Sequence, residues 1–411
     1  MNRTATLHGP RALTLTRPAG SRRIPVEPGT DQRRVLELPA GSGPVLLWGA
    51  PGTGKSTVLI EAAAVRVERD GVDPAGILLL APSRQAAARL RDSLTARLDR
   101  SLGASPARTW SSYAFDLIRR AKVAGRMPEL GGAPKLLSGP EQDLIIRELL
   151  EGHRAGLVPG PAWPEEVRGA LATRGFRQEV RALFDRVIEA GLTPEGLADL
   201  GRQLDRPDWT AAASLYAEYR EVVDWGRSGA FDPAGIITAA RALLERDPEF
   251  LAAERARLAL ILVDDVQEAN EAVHALLALV GAGQDTIVTA SPDSVVQGFR
   301  GARPDLAGTV RSSLAGAGTV AEFTLDTSHR MPPELCRAWS AVAERISQSQ
   351  GGHRARALVH VPADADVGPG ADVGPGAAVG PAAVGPAAVG PATAARPAVV
   401  RSVLVASEIH E

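Results

Sequence analysis

A glycine-rich segment, GAPGTGKS from Gly49 to Ser56, has the composition of a phosphate-binding loop. It fits the pattern GxxxxGK followed by Ser or Thr, and it lies between a predicted strand and a predicted helix. Glycines let the backbone N–H groups face an anion at a helix N-terminus. We therefore predict a nucleoside triphosphate site, in which Lys55 reaches the β and γ phosphates and Ser56 ligates Mg²⁺. The expected nucleotide contacts in this segment are Gly49, Ala50, Pro51, Gly52, Thr53, Gly54, Lys55, Ser56 and Thr57.

A second group of reactive side chains follows an apolar run in LILVDDVQEAN, which spans Leu260 to Asn270. Asp264 and Asp265 come directly after the run, and Gln267 and Glu268 follow. A carboxylate that ends a strand can hold Mg²⁺, usually through water, so we expect Asp264 to be a metal ligand. Whether Asp265 can position a water molecule is left open by this segment.

Alternating strands and helices are expected to position both groups. Apolar runs at Val45–Trp48 and from Ile77 are followed by helical patterns at Lys55–Arg69 and Arg84–Leu98. The strand pattern returns in ALILVDD and DTIVTAS. This alternation predicts an α/β fold, a parallel sheet with helices on both faces.

Between residues 121 and 227 the pattern changes to amphipathic helices. Ser138 with Glu141 forms a capping box, and Thr193 with Pro194 marks another helix start. The segment contains no convincing strand pattern. We therefore predict an all-helical insert within the α/β domain.

Composition restricts the partners and the compartment. The chain has 411 residues and a formal net charge of −2, so a nucleic-acid contact requires a local groove rather than bulk attraction. Cys336 is the only cysteine, which excludes an intrachain disulfide and favours a reducing, cytoplasmic setting. The aliphatic runs are too short to span a bilayer, so no membrane partner is expected.

Two segments are expected to lie outside any packed core. Residues 1–29 are arginine-rich without an apolar stretch, which excludes a secretory signal and leaves a loose tail or a transit peptide. Residues 363–396 contain the VGP repeat and are predicted to be disordered. The repeat is either a spacer or partner segment, or a tolerated expansion in a surface loop.

Several motifs in order along residues 30–333 resemble those of the UvrD/Rep-like superfamily one DNA helicases. Besides the phosphate loop, they are DQRRVL, APSRQAAARLR, RTWSSYAF, VDDVQEAN, ASPDSVVQGFRGA and TLDTSHR. The resemblance implies RecA-like domains that use ATP and Mg²⁺ to move 3′-to-5′ along single-stranded DNA. It also implies duplex DNA as a substrate.

The resemblance assigns further nucleotide contacts outside the phosphate loop. Gln32 would bond the adenine edge, His329 would lie against the adenine, and Arg330 would approach the γ phosphate. Arg91 would contact the nucleotide from the helix after the second strand. Taken alone, Gln32 could equally be a solvated glutamine, and Arg330 a surface arginine.

The resemblance also assigns the single-stranded DNA contacts. Ser83 and Arg84 would face DNA, as would Thr109 and Trp110, and Phe299 would stack on a base. Each has an alternative: Ser83 and Arg84 could cap a helix, and the other three could belong to the core.

The chain departs from the family pattern at the acidic box and beyond. Asp265 stands where a glutamate usually orients the attacking water, and Ser294 stands where a γ-phosphate-sensing glutamine is usual. An aspartate is one methylene shorter, and misplacement by about 1 Å can cost roughly a hundredfold in rate. We predict slow hydrolysis rather than none. Neutral drift in an active motor is the alternative.

The family layout divides the chain into parts and suggests a branch. Segments starting at Leu136 and Trp163 look closest to AdnAB-type helicase-nucleases, which implies a second helicase-nuclease subunit, a role in DNA repair or recombination and a nucleoid-associated location. The expected parts are residues 30–120 and 228–325 for the first RecA-like domain, 121–227 for its insert, and 326–411 for the start of a second RecA-like domain.

The sequence is consistent with three functions. A helicase motor is the leading hypothesis, although a complete ATP site requires two RecA-like domains. A catalytically weak, DNA-binding scaffold subunit of a helicase-nuclease complex is the second. A phosphate-loop ATPase or kinase unrelated to helicases is the third.

Overall fold

The computed structural model describes residues 28–98, 106–226, 229–298, 301–316, 318–346 and 359–360. Its strands, in chain order, are β1 (Val45–Gly49), β2 (Ile77–Ala81), β3 (Ala107–Thr109), β4 (Lys135–Leu136), β5 (Ala230–Phe231), β6 (Leu260–Val263), β7 (Thr286–Ala290), β8 (Ala321–Leu325), β9 (Thr327–Ser328) and β10 (Val359–His360). Six of them form one sheet in the order β3-β2-β6-β7-β1-β8, and all neighbouring strands in it are parallel.

Helices cover both faces of this sheet. The helices of the described residues are α1 (Thr30–Leu36), α2 (Lys55–Glu68), α3 (Arg84–Leu98), α4 (Trp110–Val123), α5 (Gly139–Arg154), α6 (Glu165–Arg168), α7 (Arg174–Glu189), α8 (Pro194–Gln203), α9 (Pro207–Gly226), α10 (Gly235–Arg246), α11 (Pro248–Arg257), α12 (Glu271–Gly281), α13 (Val310–Ala315) and α14 (Pro333–Ala343). Leu46 and Trp48 of β1 pack in one core with α4, α10 and α12, whereas Val45 and Leu47 pack in a second core with α1, α2 and α3.

The strands of the sheet interior are buried throughout their length. This holds for VLLWG in β1, ILLLA in β2, LILV in β6 and TIVTA in β7. Parallel strands covered on both faces must be apolar in consecutive positions, which is the pattern seen in the sequence. The predicted α/β fold is confirmed.

A third core lies in helices α5 to α9. It contains Ile145, Phe184 and Tyr216 among its buried side chains. The predicted capping box of Ser138 begins α5, and Thr193 caps α8 by accepting a hydrogen bond from the N–H of the third residue beyond it. Residues 121–227 are predicted to form an all-helical insert, and the helices that build this core lie within that range.

The insert differs from expectation at two places. The two-residue strand β4 pairs in parallel with β5, whereas the sequence indicates no strand there. Two residues are too short for a recognisable alternation of burial. In addition, α4 continues to Val123 and packs through Ala121 against the sheet core, so the predicted boundary at residue 121 falls inside a helix of the sheet layer.

The C-terminal described segment begins with β8, which is an edge strand of the main sheet. After it, β9 pairs with β10, and α14 follows β9 in the chain. Residues 1–27 and the VGP repeat lie outside the described residues, so the predictions for them remain untested, as does a second RecA-like domain. Among the described helices, none has the length and apolar character needed to cross a membrane.

Candidate nucleotide-binding site

A cleft of about 680 Å³ opens at the carboxyl ends of β1, β6 and β7. Its walls are the loop after β1, the turn after β6, the segment after β7, one face of α3, and His329 and Arg330. In open parallel sheets, ligands bind at this edge of the strands. The cleft therefore brings the predicted phosphate loop and the acidic strand end into one site.

Lys55 is buried at the base of the cleft. Its Nζ donates hydrogen bonds to the carbonyl oxygens of Gly49, at 3.0 Å, and Ala50, at 3.3 Å. The same Nζ lies 4.0 Å from Oδ1 of Asp265. Burial lowers the pKa of the Lys55 amine, although Asp265 and the adjacent carboxylate oppose that shift. The amine is thus held inside the curl of the loop, where a phosphate oxygen can replace a carbonyl.

Two glycines of the loop are required by close contacts as well as by backbone conformation. Gly52 has φ 84°, and a Cβ there would lie 2.8 Å from Oγ of Ser328 and 3.0 Å from Cβ of Arg330. Gly54 has φ 87°, and a Cβ there would lie 2.4 Å from Nε2 of Gln32. Only glycine combines a positive φ with so little space.

Ser56 and Asp264 meet across the cleft, although 208 positions separate them in the chain. The Ser56 hydroxyl donates to the carboxylate, with distances of 3.0 and 3.1 Å to its two oxygens. Thr289 of β7 donates to the same carboxylate at 3.2 Å. Burial, and then the charge of Asp265, raise the pKa of Asp264 to about 6.

These residues fit a magnesium ion. Asp264 is buried, and its side chain is hydrogen-bonded to hydroxyls rather than to a cation among the described residues, so its negative charge would be balanced by a bound metal. No group of three or more His, Cys, Asp or Glu side chains suited to a metal occurs in the described segments. One hydroxyl and one carboxylate, completed by phosphate and water oxygens, is the way Mg²⁺ is usually held at phosphate sites.

Asp265 has an unusual backbone conformation, with φ 50° and ψ 57°. Its N–H donates to Oγ1 of Thr289 at 3.0 Å. Among residues other than glycine, aspartate and asparagine adopt this left-handed region most readily. The local backbone therefore favours aspartate over glutamate at position 265. This reason for the departure from the family motif is not visible in the sequence.

Gln32 is buried against the phosphate loop rather than solvated. Its Oε1 accepts from the N–H of Gly29 at 3.0 Å, and its Nε2 donates to the carbonyl of Thr53 at 3.1 Å. On the other side, the N–H of His329 donates to the carbonyl of Gly52 at 3.0 Å. The two residues predicted to contact adenine thus flank the loop.

The turn after β6 is hydrogen-bonded to the segment after β7. Oε1 of Gln267 accepts from the N–H of Ser291 at 2.8 Å, and the carboxylate of Glu268 accepts from the N–H groups of Val296 and Gln297 at 3.0 and 2.9 Å. A displacement of the acidic turn would therefore move the second segment.

The α3 helix brings a different arginine to the cleft than the sequence predicts. Arg91 is exposed, and its Nε donates to Asp92 at 3.0 Å. Arg89, with Leu90 and Ser93, lines the cleft instead. Residues three and four apart share a helix face, whereas a position two residues away faces elsewhere. Arg89 lies three residues after Ala86 and four residues before Ser93, both of which face the cleft, so that spacing identifies Arg89.

The predicted DNA contacts have mixed surroundings. Oγ of Ser83 accepts from a backbone N–H in the first turn of α3 at 3.1 Å, and Arg84 is exposed. Thr109 caps α4, and Trp110 is only 7% exposed within the sheet core. The core alternative therefore describes Trp110, and the helix-cap alternative describes Ser83. Phe299 lies outside the described residues.

Thr289 is a contact that the sequence does not single out. It is buried in β7, and its hydroxyl joins the Asp264 carboxylate to the backbone of Asp265. The available signal is its position near the end of the strand adjacent to β6. Thr289 can be expected to lie near Asp264 only when β7 is known to be the neighbour of β6.

Comparison with known proteins gives the family. The profile of the UvrD/REP helicase N-terminal domain matches residues 29–314, more than half of the 411 residues. Over 314 residues, the chain is 23% identical to DNA helicase II of Escherichia coli (strain K12), an alignment that covers 76% of this chain and 40% of that protein. Over 264 residues, it is 23% identical to ATP-dependent DNA helicase PcrA of Staphylococcus aureus (strain Mu50). That alignment covers 63% of this chain and 33% of that protein. The chain thus spans less than half the length of these relatives. It belongs to the UvrD/REP helicase family.

Proposed function

We propose that the chain is the motor portion of an ATP-dependent DNA helicase that moves along single-stranded DNA. The observation that carries the proposal is the contact between Ser56 and Asp264, 3.0 Å apart, beside the buried amine of Lys55. A hydroxyl, a carboxylate and a lysine in one cleft are the set that phosphate-loop motors use on a nucleoside triphosphate and Mg²⁺. The names of the relatives support ATP and DNA as the ligands.

In the proposed mechanism, Lys55 exchanges its carbonyl partners for oxygens of the β and γ phosphates. Ser56 and Asp264 would hold Mg²⁺, which would supply charge neutralisation at the transferring phosphoryl group. Asp265 orients the attacking water, and Arg330 stabilises charge that develops on the γ phosphate. The remaining nucleotide contacts are those of the loop, Gln32 and His329, with Arg89 taking the place predicted for Arg91.

The state of the nucleotide reaches the DNA side through Gln267 and Glu268. Their side chains bond the backbone of residues 291–297, so a shift of the acidic turn moves that segment. Ser83, Arg84 and Thr109 remain the proposed DNA contacts on the described surface. Phe299 is proposed from the family resemblance alone.

The finer assignments rest on the resemblance rather than on the cleft. They are 3′-to-5′ movement, a role in DNA repair or recombination, and a nucleoid-associated, cytoplasmic location. The AdnAB-like segments further suggest a second helicase-nuclease subunit as the protein partner.

A second candidate is a DNA-binding scaffold subunit whose own nucleotide site is weak. It is favoured by the pair Ser291 and Ser294, whose hydroxyl oxygens lie 2.9 Å apart and bond each other. Ser294 stands where the family has a glutamine that senses the γ phosphate. A serine occupied with its neighbour would not report on the nucleotide.

Hydrolysis of ATP in the presence of single-stranded DNA separates the two candidates. A motor is expected to show DNA-stimulated hydrolysis that is lost in Lys55→Ala and Asp265→Ala. Lys135→Ala serves as a matched control, because this lysine is exposed and lies outside the cleft. ATP binding that depends on Lys55, without any DNA-stimulated hydrolysis, would favour the scaffold.

A further inference from the structure

A second cavity, of about 750 Å³, lies within the helical insert. It is formed by the last turns of α5, the loop at residues 160–163, residues 168–172 and one arginine of α7. It shares none of its lining residues with the nucleotide cleft. Its volume is within the range of about 300–1,000 Å³ found for small-molecule sites.

The wall of this cavity is basic in a chain whose net charge is −2. Arginines 147, 154, 168 and 177 line it, and Glu151 is the only acidic residue among its described lining residues. Arg147 lies 3.8 Å from Glu151, and Arg177 lies 3.0 Å from Asp143 outside the wall. Arg154 and Arg168 are exposed and lack a carboxylate partner in the described part of the chain. Nε of Arg168 donates to the carbonyl of Trp163 at 2.9 Å, so its other N–H groups and the Arg154 guanidinium remain available to an anion.

Two buried ring nitrogens in the wall lack hydrogen-bond partners. Nε2 of His153 lies 2.7 Å from a carboxylate oxygen of Glu218 and donates to it, which leaves Nδ1 as the ring nitrogen outside this contact. This Nδ1 and the Nε1–H of Trp163 are buried, and neither has a partner among the described residues. Such atoms are uncommon in native folds, and both are closed to solvent, so the contacts open to a ligand come from the arginines and the carbon surface of the wall.

The rest of the wall is apolar. Leu150, Leu171, Pro161 and Ala172 contribute carbon surface, and the ring of Trp163 meets Phe176 edge-on with centroids 5.2 Å apart. A mostly apolar wall with a few convergent polar groups is typical of ligand sites.

We propose that this cavity binds a small organic anion, in which one carboxylate, sulfonate or phosphate group is joined to an aromatic or aliphatic body. The anionic group lies between Arg154 and Arg168, and the body lies against Leu150, Leu171 and Pro161. A phosphate of the DNA backbone carries the same charge but lacks an apolar body to cover the carbon wall. A free small molecule is therefore the occupant favoured by the cavity.

The test uses 8-anilinonaphthalene-1-sulfonate, a fluorescent sulfonate with an aromatic body, titrated into the full chain. The double variant Arg154→Ala/Arg168→Ala removes the two unpaired cations. Arg202→Ala/Arg220→Ala is the matched control, because both of these arginines are exposed on the insert but lie outside the cavity. Ala172→Trp fills the cavity without changing charge. N-phenyl-1-naphthylamine supplies the aromatic body without the sulfonate.

We expect binding of one sulfonate per chain, with Kd raised at least about tenfold in the double variant and in Ala172→Trp, and by less than about twofold in the control. The neutral amine is expected to bind at least about tenfold more weakly than the sulfonate. Equal affinity across all variants, or equal affinity of the two dyes, would overturn the proposal. Displacement of the dye by a short DNA duplex would also overturn it, since the arginines would then be a DNA contact. Thermal unfolding of each variant shows whether it is folded, and the two independent cavity variants keep the test decisive if one is not.

Discussion

Replacing Asp265 by asparagine separates the function of its carboxylate from that of its backbone. The residue is left-handed, with φ 50°, and its N–H bonds Thr289. Asparagine adopts this conformation as readily as aspartate, so Asp265→Asn should retain the fold. Asp265→Ala should instead lose about 1 kcal/mol of unfolding free energy, because alanine is disfavoured in the left-handed region.

The magnitude of the effect on ATP follows from the distance to Lys55. At 4.0 Å and an effective dielectric constant of about 20, the two charges attract by about 4 kcal/mol. The Asp265 side chain is 36% exposed, so solvent screening reduces the net attraction to about 1 kcal/mol or less. Removing the carboxylate frees Lys55 and makes the cleft less negative. ATP should then bind up to about fivefold more tightly.

Hydrolysis should change in the opposite direction. If Asp265 orients the attacking water, its loss should slow single-turnover hydrolysis by about a hundredfold or more. Fluorescence titration with an ATP analogue gives the affinity, rapid-quench measurement with single-stranded DNA gives the rate, and thermal unfolding gives the stability. Wild-type hydrolysis in Asp265→Asn would refute the role assigned to this carboxylate, and weaker ATP binding would refute the electrostatic argument.

Three further predictions concern the cleft and the core. In Gly54→Ala the new Cβ would lie 2.4 Å from the side-chain amide of Gln32 in α1, so ATP affinity measured by calorimetry should fall at least about tenfold. Gly71 also has a positive φ but lies in open space. Gly71→Ala should therefore lose about 1 kcal/mol of stability and leave ATP affinity unchanged. Arg89→Ala should weaken ATP binding by about three- to tenfold, whereas Arg91→Ala on the same helix should not, and equal effects in the two titrations would contradict the assignment by helix face. Burial lowers the pKa of His274 to about 4, so the neutral form is favoured in the folded state, and stability should fall by up to about 3 kcal/mol as pH decreases from 6.5 to 4. When stability is measured by urea unfolding at a series of pH values, His274→Leu should lose less stability on acidification than the wild type. Equal losses in the two proteins would exclude His274 as the cause.

The parts of the fold that depend on local pattern were predictable from the sequence. Strands buried on both faces are apolar in consecutive positions, and the helices around them carry recognisable caps, such as Ser138 with Glu141. The phosphate loop was predictable for the same reason, because its glycines satisfy local backbone requirements. Gly52 and Gly54 both have positive φ.

Features that depend on tertiary geometry were not predictable in this way. The pairing of Ser56 with Asp264 requires β1 and β6 to end at the same edge of the sheet, and the role of Thr289 requires β7 to lie between them. The choice between Arg89 and Arg91 depends on the rotation of α3 relative to the cleft. Trp110 fits a DNA-contact motif, yet it packs in the core.

Lys55 and its neighbours are proposed to form a site for ATP with Mg²⁺. Isothermal titration calorimetry of the full chain with ATP and Mg²⁺ tests this most directly, with Lys55→Ala as the variant and Lys135→Ala as the exposed control. We expect binding of one ATP by the wild type and by the control, and at least about a hundredfold weaker binding by Lys55→Ala, because the variant loses several charge-assisted hydrogen bonds to phosphate. Equal ATP affinity in all three proteins would contradict the claim.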